Sequence, residues 1–256
     1  IRAKYYELEI TRLSSDILIF LKYILFFPLE IFILIKFFKE QNYGLIQING
    51  VPHFKSFIAA KLSNTPVVWV IEDSYSPKLI LIIFKMLVKV FHTKIIYLSN
   101  KVYNFYLRDL GLKKKNLYKI MSPTDTFFFQ RKKFKKKKSF RVCTVSGILN
   151  VKDTETFLNV AQEVFKKQTD IEFIFAGRGT KNETSYYKRI MRIYKSMNLI
   201  LIKKIFFLGM QKNVKKLLEN SDIFLFTSKS EGGPIAIWEA MSMKLPIVTT
   251  RVGGTE

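Results

Sequence analysis

Soft metal ligands are nearly missing from this chain of 256 residues, which has one cysteine, Cys143, and two histidines, His53 and His92. A single thiol excludes an internal disulfide framework and suits a reducing compartment. The same scarcity leaves too few donors for a structural zinc site. Acidic residues are also short, 20 against 43 Lys and Arg, for a net charge of +23. That imbalance attracts polyanions such as nucleic acid, anionic headgroups or phosphorylated substrates. A compositional bias toward Lys, Ile, Phe and Asn accounts for part of it equally well. An uninterrupted membrane-length apolar run is lacking too. Residues 17–38, "ILIFLKYILFFPLEIFILIKFF", approach the required length, but Lys22, Pro28, Glu30 and Lys36 break the stretch. It has no small-residue cleavage site of a signal peptide. A helix packed on a sheet is the first reading, a helix in a membrane interface with snorkelling lysines the second, and a true span the last.

What is present is apolar mass: 48% hydrophobic residues, enough for a packed core and against disorder. The length suits one large domain or two smaller ones. The chain begins at Ile1 rather than Met and stops inside a Gly-Gly turn, so a fragment trimmed at both ends is expected.

The pattern is an apolar strand, then a helix, repeated. "GLIQIN" (44–49), "PVVWVI" (66–71), "KIIYLS" (94–99) and "LYKIM" (117–121) are short β-branched or aromatic runs bounded by turn residues. Helices are expected over 54–62, 79–91 and 101–110, the last stopped by Gly111. The basic run "QRKKFKKKKSF" (130–140) reads as an exposed connector, or as a lipid or nucleic-acid contact. After it the alternation restarts with strands at 140–147, 171–179, 204–209, 222–228 and 246–250. Such alternation predicts parallel sheets covered on both faces. The division is a partial N-terminal Rossmann-like domain over 1–129, a linker over 130–139 and a partial C-terminal Rossmann-like domain over 140–256, facing across a cleft. Ligands in such sheets bind beyond the carboxyl ends of the strands.

Four loops of the second half sit at those ends. "SGILNVKD" puts Gly147 at a turn and Lys152 before a helix, where a phosphate is already favoured; alone, Lys152 reads as solvent-exposed. "AGRG" holds Gly177 and Gly179, which allow close approach of a ligand or simply a tight turn. It lacks the third glycine of the dinucleotide fingerprint, and Gly209 is equally ambiguous. "KSEGGP" places Glu231 before a Gly232-Gly233 turn, then Pro234 in the first turn of a helix that carries Glu239. Bare glycine amides there suit a diphosphate, and carboxylates suit the hydroxyls of a sugar and a ribose. Otherwise, Glu231 complements the helix dipole and Glu239 lies on a solvated face.

"SDIFLFTSKSEGGPIAIWEAMSMKLPIVTTRVGGTE" resembles the signature of glycosyltransferase family 4, retaining enzymes of the GT-B fold, including its E-x7-E motif. "SGILNVKDTETFLNVA", "FIFAGRG" and "IFFLGMQKNVKKLLENSDI" resemble the upstream family segments in the right order. "SPTDTFFF" resembles the end of the N-terminal domain. The resemblance implies that Glu231 contacts the donor sugar, with the backbone of Gly232, Gly233 and Pro234 beside it, and that Glu239 holds the ribose. It implies that Lys152 neutralises the diphosphate and that Gly147 and Gly177 line the cleft. It implies no cofactor and no metal, the nucleotide-sugar being a substrate. The family's arginine after the first-loop glycine is Ile148 here, leaving Arg178 or Arg251 as replacements. The acceptor-side histidine is replaced by Glu72, followed by Asp73.

The expected activity is therefore retaining transfer from a nucleotide-sugar to a lipid-linked or polysaccharide acceptor in envelope polysaccharide assembly. The expected setting is cytoplasmic, at the anionic inner face of the membrane. The alternative is a non-catalytic, membrane-associated binding subunit. Specific nucleic-acid binding is not expected, because the aromatics occupy core positions rather than stacking platforms.

Overall fold

A computed structural model of the chain describes residues 17–131, 139–179 and 184–255. The chain forms two compact units, 1–121 and 122–256. The first contains α1 (Ile17–Gln41), β1 (Ile46–Asn49), α2 (Phe54–Leu62), β2 (Val67–Ile71), α3 (Lys78–Phe91), β3 (Lys94–Tyr97), α4 (Asn100–Tyr106) and β4 (Leu117–Lys119). Its four strands are parallel in the order β1-β2-β3-β4.

Alternation decides which face of this sheet is dry. Ile48, Val67, Trp69, Ile71 and Ile95 share one buried cluster with Phe57 of α2, Phe84 of α3 and Val102 of α4. Trp69 is its centre: its ring stacks on Phe57 at 4.5 Å between centroids, and its indole N–H donates to the Gly50 carbonyl at 2.7 Å. Gln47, Asn49 and Lys94 point the other way and are exposed. Val70 on that second side is nevertheless buried, at 7% exposure, while the core side chains of all three connecting helices join the first cluster. A sheet ordered by sequence, joined by right-handed crossovers, puts every connecting helix on the same side.

The helix α1 takes in the interrupted apolar run and keeps Pro28 inside it. Leu34 and Phe38 join the core, and Glu30 turns inward to pair with Lys55 of α2. No helix among the described residues is long and apolar enough to cross a membrane.

The second unit contains β5 (Phe140–Val145), α5 (Thr154–Phe165), β6 (Ile171–Ala176), α6 (Thr184–Lys195), α7 (Leu199–Ile202), β7 (Ile205–Gly209), α8 (Val214–Glu219), β8 (Ile223–Phe226), α9 (Ile235–Ser242) and β9 (Ile247–Thr249). Its five parallel strands run in the order β7-β6-β5-β8-β9. Both faces are covered. Val142, Phe173, Phe175 and Leu225 pack with Phe157 of α5 and Ile190 of α6. Cys143, Ile174, Phe224 and Phe226 pack with Leu218 of α8 and Ile237 of α9. The strand order reverses between β5 and β8, which opens a crevice beyond their carboxyl ends.

Residues 122–131, which the sequence reading divides between the N-terminal domain and the linker, are bonded to the second unit. The Ser242 hydroxyl donates to the Phe129 carbonyl at 2.6 Å, and Ser122 donates to the Gly233 carbonyl at 3.4 Å. Buried Arg131 donates to the carbonyls of Glu219 and Ser221 at 2.6 and 2.7 Å, satisfying groups that the end of α8 leaves open. Residues 132–138 of the basic run lie outside the described residues.

Candidate active site

The crevice between β5 and β8 is lined by the loops that follow those strands. After β5 the chain turns at Gly147 and makes one 3₁₀ turn over Asn150–Lys152. It then enters α5 through Asp153, which is left-handed at φ 49° and accepts from the Thr156 hydroxyl at 2.9 Å. After β8 the Thr227 hydroxyl donates to the Asp153 carbonyl at 3.0 Å, and the Lys229 amide donates to the Val151 carbonyl at 2.8 Å. Those two ties, one from a side chain and one from the backbone, bring the two loops edge to edge. The Lys152 ammonium meets Glu231 Oε1 at 2.6 Å, with side-chain exposures of 27% and 11%. The two residues assigned the reacting roles are therefore in contact, though 79 positions apart.

From Glu231 the chain runs through Gly232 and Gly233 to Pro234, which is extended (φ −77°, ψ 94°) and stands at the cap of α9 rather than within its first turn. Neither glycine amide has a partner among the described residues. The Ile235 and Ala236 amides that open α9 have no intrahelical acceptor either, whereas Ile237 N–H donates to the Pro234 carbonyl at 3.0 Å. The turn is held from behind by Gly254, at φ +85°, whose added Cβ would lie 3.2 Å from Pro234 Cδ and 3.4 Å from the Gly232 carbonyl oxygen. One helical turn further, the half-buried Glu239 carboxyl makes no hydrogen bond or ion pair among the described residues, and burial pushes its pKa up.

The glycine of the β6 loop is required by the backbone beside it. A Cβ on Gly177 would sit 1.7 Å from the Ser146 carbonyl oxygen, at φ +153°. The bare Cα lets the β5 and β6 loops interlock, with Ser146 N–H on the Ala176 carbonyl at 2.9 Å and Ile148 N–H on that of Arg178 at 3.1 Å. Ile148 itself is 3% exposed within the core, so a cation there would be buried. Arg178 and Arg251 are both exposed.

Glu72 and Asp73 belong to the first unit, exposed at the carboxyl end of β2. Their loop is fixed by the Tyr106 phenol, which donates to the Tyr75 carbonyl at 2.8 Å and whose pKa burial raises. Three contributors escaped the sequence reading: Thr227, Lys229 and the left-handed Asp153. Only Asp153 had a local signal, as an acidic cap immediately before a helix. No group of three or more His, Cys, Asp or Glu converges among the described residues.

A cation, bare amides and two carboxylates around a switch point suit a ligand with a diphosphate between hydroxylated ends. The family model for glycosyl transferases group 1 matches residues 125–256. The chain belongs to that family. It is 32% identical over 136 residues, 52% of the chain, to a component of the human phosphatidylinositol N-acetylglucosaminyltransferase, and covers 26% of that protein. It is 29% identical over 175 residues, 66% of the chain, to the Staphylococcus aureus capsular polysaccharide biosynthesis glycosyltransferase CapH, and covers 46% of it. The chain thus spans less than half the length of these curated relatives. The structure of Anabaena Alr3699/HepE in complex with UDP and glucose superposes at a TM-score of 0.75 and 20% identity, over 88% of this chain and 63% of that one. At that identity the likeness is one of fold, and the fold class is GT-B.

Proposed function

We propose that this chain carries the donor site of a retaining glycosyltransferase, which moves a glycosyl group from a nucleotide-sugar to a glycan or lipid-linked acceptor. The observation that carries the reading is the Lys152–Glu231 pair at the switch point, beside the Gly232 and Gly233 amides and the Glu239 carboxyl, which have no partner among the described residues. An entering diphosphate competes with Glu231 for the Lys152 ammonium and settles on the bare amides. Glu231 Oε1, so released, accepts from a donor-sugar hydroxyl. Glu239 accepts from the ribose hydroxyls. In the transfer the bond between the anomeric carbon and the phosphate oxygen breaks, with its electron pair going to the diphosphate. The acceptor oxygen bonds the same face of the sugar, and its proton leaves with the diphosphate. Lys152 stabilises the charge as it develops. The donor is a substrate, and no further cofactor is assigned.

The setting proposed is envelope polysaccharide assembly at the inner, anionic face of the cytoplasmic membrane. The names of the relatives support the acceptor classes: one acts on phosphatidylinositol and another in capsular polysaccharide biosynthesis. The solved neighbour holding UDP and glucose supports the donor class. Glu72 and Asp73 are assigned to the acceptor side.

The full-length protein, incubated with labelled nucleotide-sugars and a membrane extract, is expected to move label into glycan or glycolipid with the donor's anomeric configuration, read by NMR. Glu231→Ala and Lys152→Ala are each expected to lower kcat by roughly a hundredfold or more. Donor binding without turnover would instead favour the non-catalytic binding role, which the buried Ile148 supports.

A further inference from the structure

We propose that α3 docks the first unit on an anionic phospholipid bilayer, lying along its surface. The membrane clause of the proposed function supplies the setting for this inference, but the surface is read from α3 itself. That helix has three distinct faces. Ile80, Phe84, Leu87 and Val88 are buried in the core. Leu79, Ile82, Met86 and Val90, spaced along a second face, are 61%, 63%, 56% and 63% exposed. Lys78, Lys85 and Lys89 line up along the border of that second face, at spacings of seven and four.

The helix contains no acidic residue, and among the described residues none of its three lysines has an ion-pair partner. Its end is sharp, with His92 left-handed at φ 45°. Leu79 to Val90 therefore forms a straight edge of about 16 Å.

An apolar row exposed along its whole length marks a contact surface rather than scattered surface residues. A packed protein partner would satisfy the apolar row but would need its own acids for the lysines. A bilayer with anionic headgroups satisfies both: the acyl boundary takes Leu79, Ile82, Met86 and Val90, and the headgroups take the lysines. The outer face of α1 in the same unit is also apolar, although its Lys36 pairs with Glu40 at 3.8 Å. Leu25, Leu29, Phe32 and Ile33 are exposed there, in a row that runs into Lys36 and Lys39.

The test is flotation of the full-length protein with phosphatidylcholine vesicles, with and without phosphatidylglycerol. Wild type is expected to float with the anionic vesicles and much less with the neutral ones. Lys85→Gln with Lys89→Gln is expected to weaken that binding by roughly thirtyfold. Ile82→Ser with Met86→Ser is expected to abolish the part that survives high salt. Wild type that stays off anionic vesicles, or variants that float as wild type does, would overturn the proposal. So would concentration-dependent self-association that Ile82→Ser with Met86→Ser removes, because a second copy would then cover the face. The thermal shifts produced by UDP, GDP and ADP, each tried on the same samples, separate the two readings. A shift without flotation removes the docking surface and leaves the donor site, while flotation without a shift does the reverse.

Discussion

The Glu239 carboxyl lies half-buried on α9 without a partner among the described residues, and burial raises its pKa above the ordinary value. A raised folded pKa means that the unfolded chain ionises first as pH rises. Between the ordinary and the raised values the folded state holds more protons, so stability falls with increasing pH across that window. Above it the loss is complete, and below the ordinary value it is absent. Glu239→Gln is therefore expected to raise the thermal midpoint at neutral pH. The gain should shrink to nothing as pH drops below the usual carboxylate range, which scanning calorimetry over a pH series checks. Equal stability of the two proteins at neutral pH would contradict the burial. A ribose whose hydroxyls donate to the carboxylate reverses the penalty, because it favours the charged form. Glu231 differs in having the Lys152 ammonium already beside it, at 2.6 Å. The E-x7-E spacing made both glutamates visible in the sequence, yet nothing in it announced their different resting states. Pairing depends on a contact 79 residues away.

At the scale of elements, the ends of β5 and β6 interlock through Gly177, and that contact is stiff because it is backbone on backbone. Gly177→Ala forces a Cβ against the Ser146 carbonyl oxygen and is expected to cost about 3 kcal/mol or more. Denaturant unfolding reads this directly, and an alanine variant within measurement error of wild type would show that the loops can part. The strands themselves were legible, because β-branched and aromatic runs such as "PVVWVI" and "DIFLFTS" have few other folds available. So was the parallel pairing, from strict alternation with helices. The attachment of residues 122–131 to the second unit was not legible. It rests on Arg131 reaching carbonyls at the end of α8, and a basic residue at the edge of a lysine run carries no sign of burial. The side of the first sheet on which its connecting helices lie was also hidden, because strand order is not a property of any one segment. The glycine of "AGRG" was noticed for the right physical freedom, and that freedom lets the two loops interlock.

For the whole molecule, the two units differ in what their surfaces offer. The second closes a sheet between two dry layers and concentrates cation, amides and carboxylates at its switch point. The first leaves apolar, lysine-bordered helices exposed. Part of the net charge of +23 borders those apolar rows, at Lys78, Lys85 and Lys89. The central claim is that the second unit grips a nucleotide-sugar through Lys152, Glu231 and Glu239. The most direct measurement is calorimetric titration of the full-length protein with UDP, GDP, ADP and their sugar conjugates, in wild type and Glu239→Ala. One nucleotide is predicted to bind wild type, its affinity falling at least tenfold in the variant as the ribose contacts are lost. Folded wild type that binds none of them, or a variant that binds as wild type does, would contradict the account.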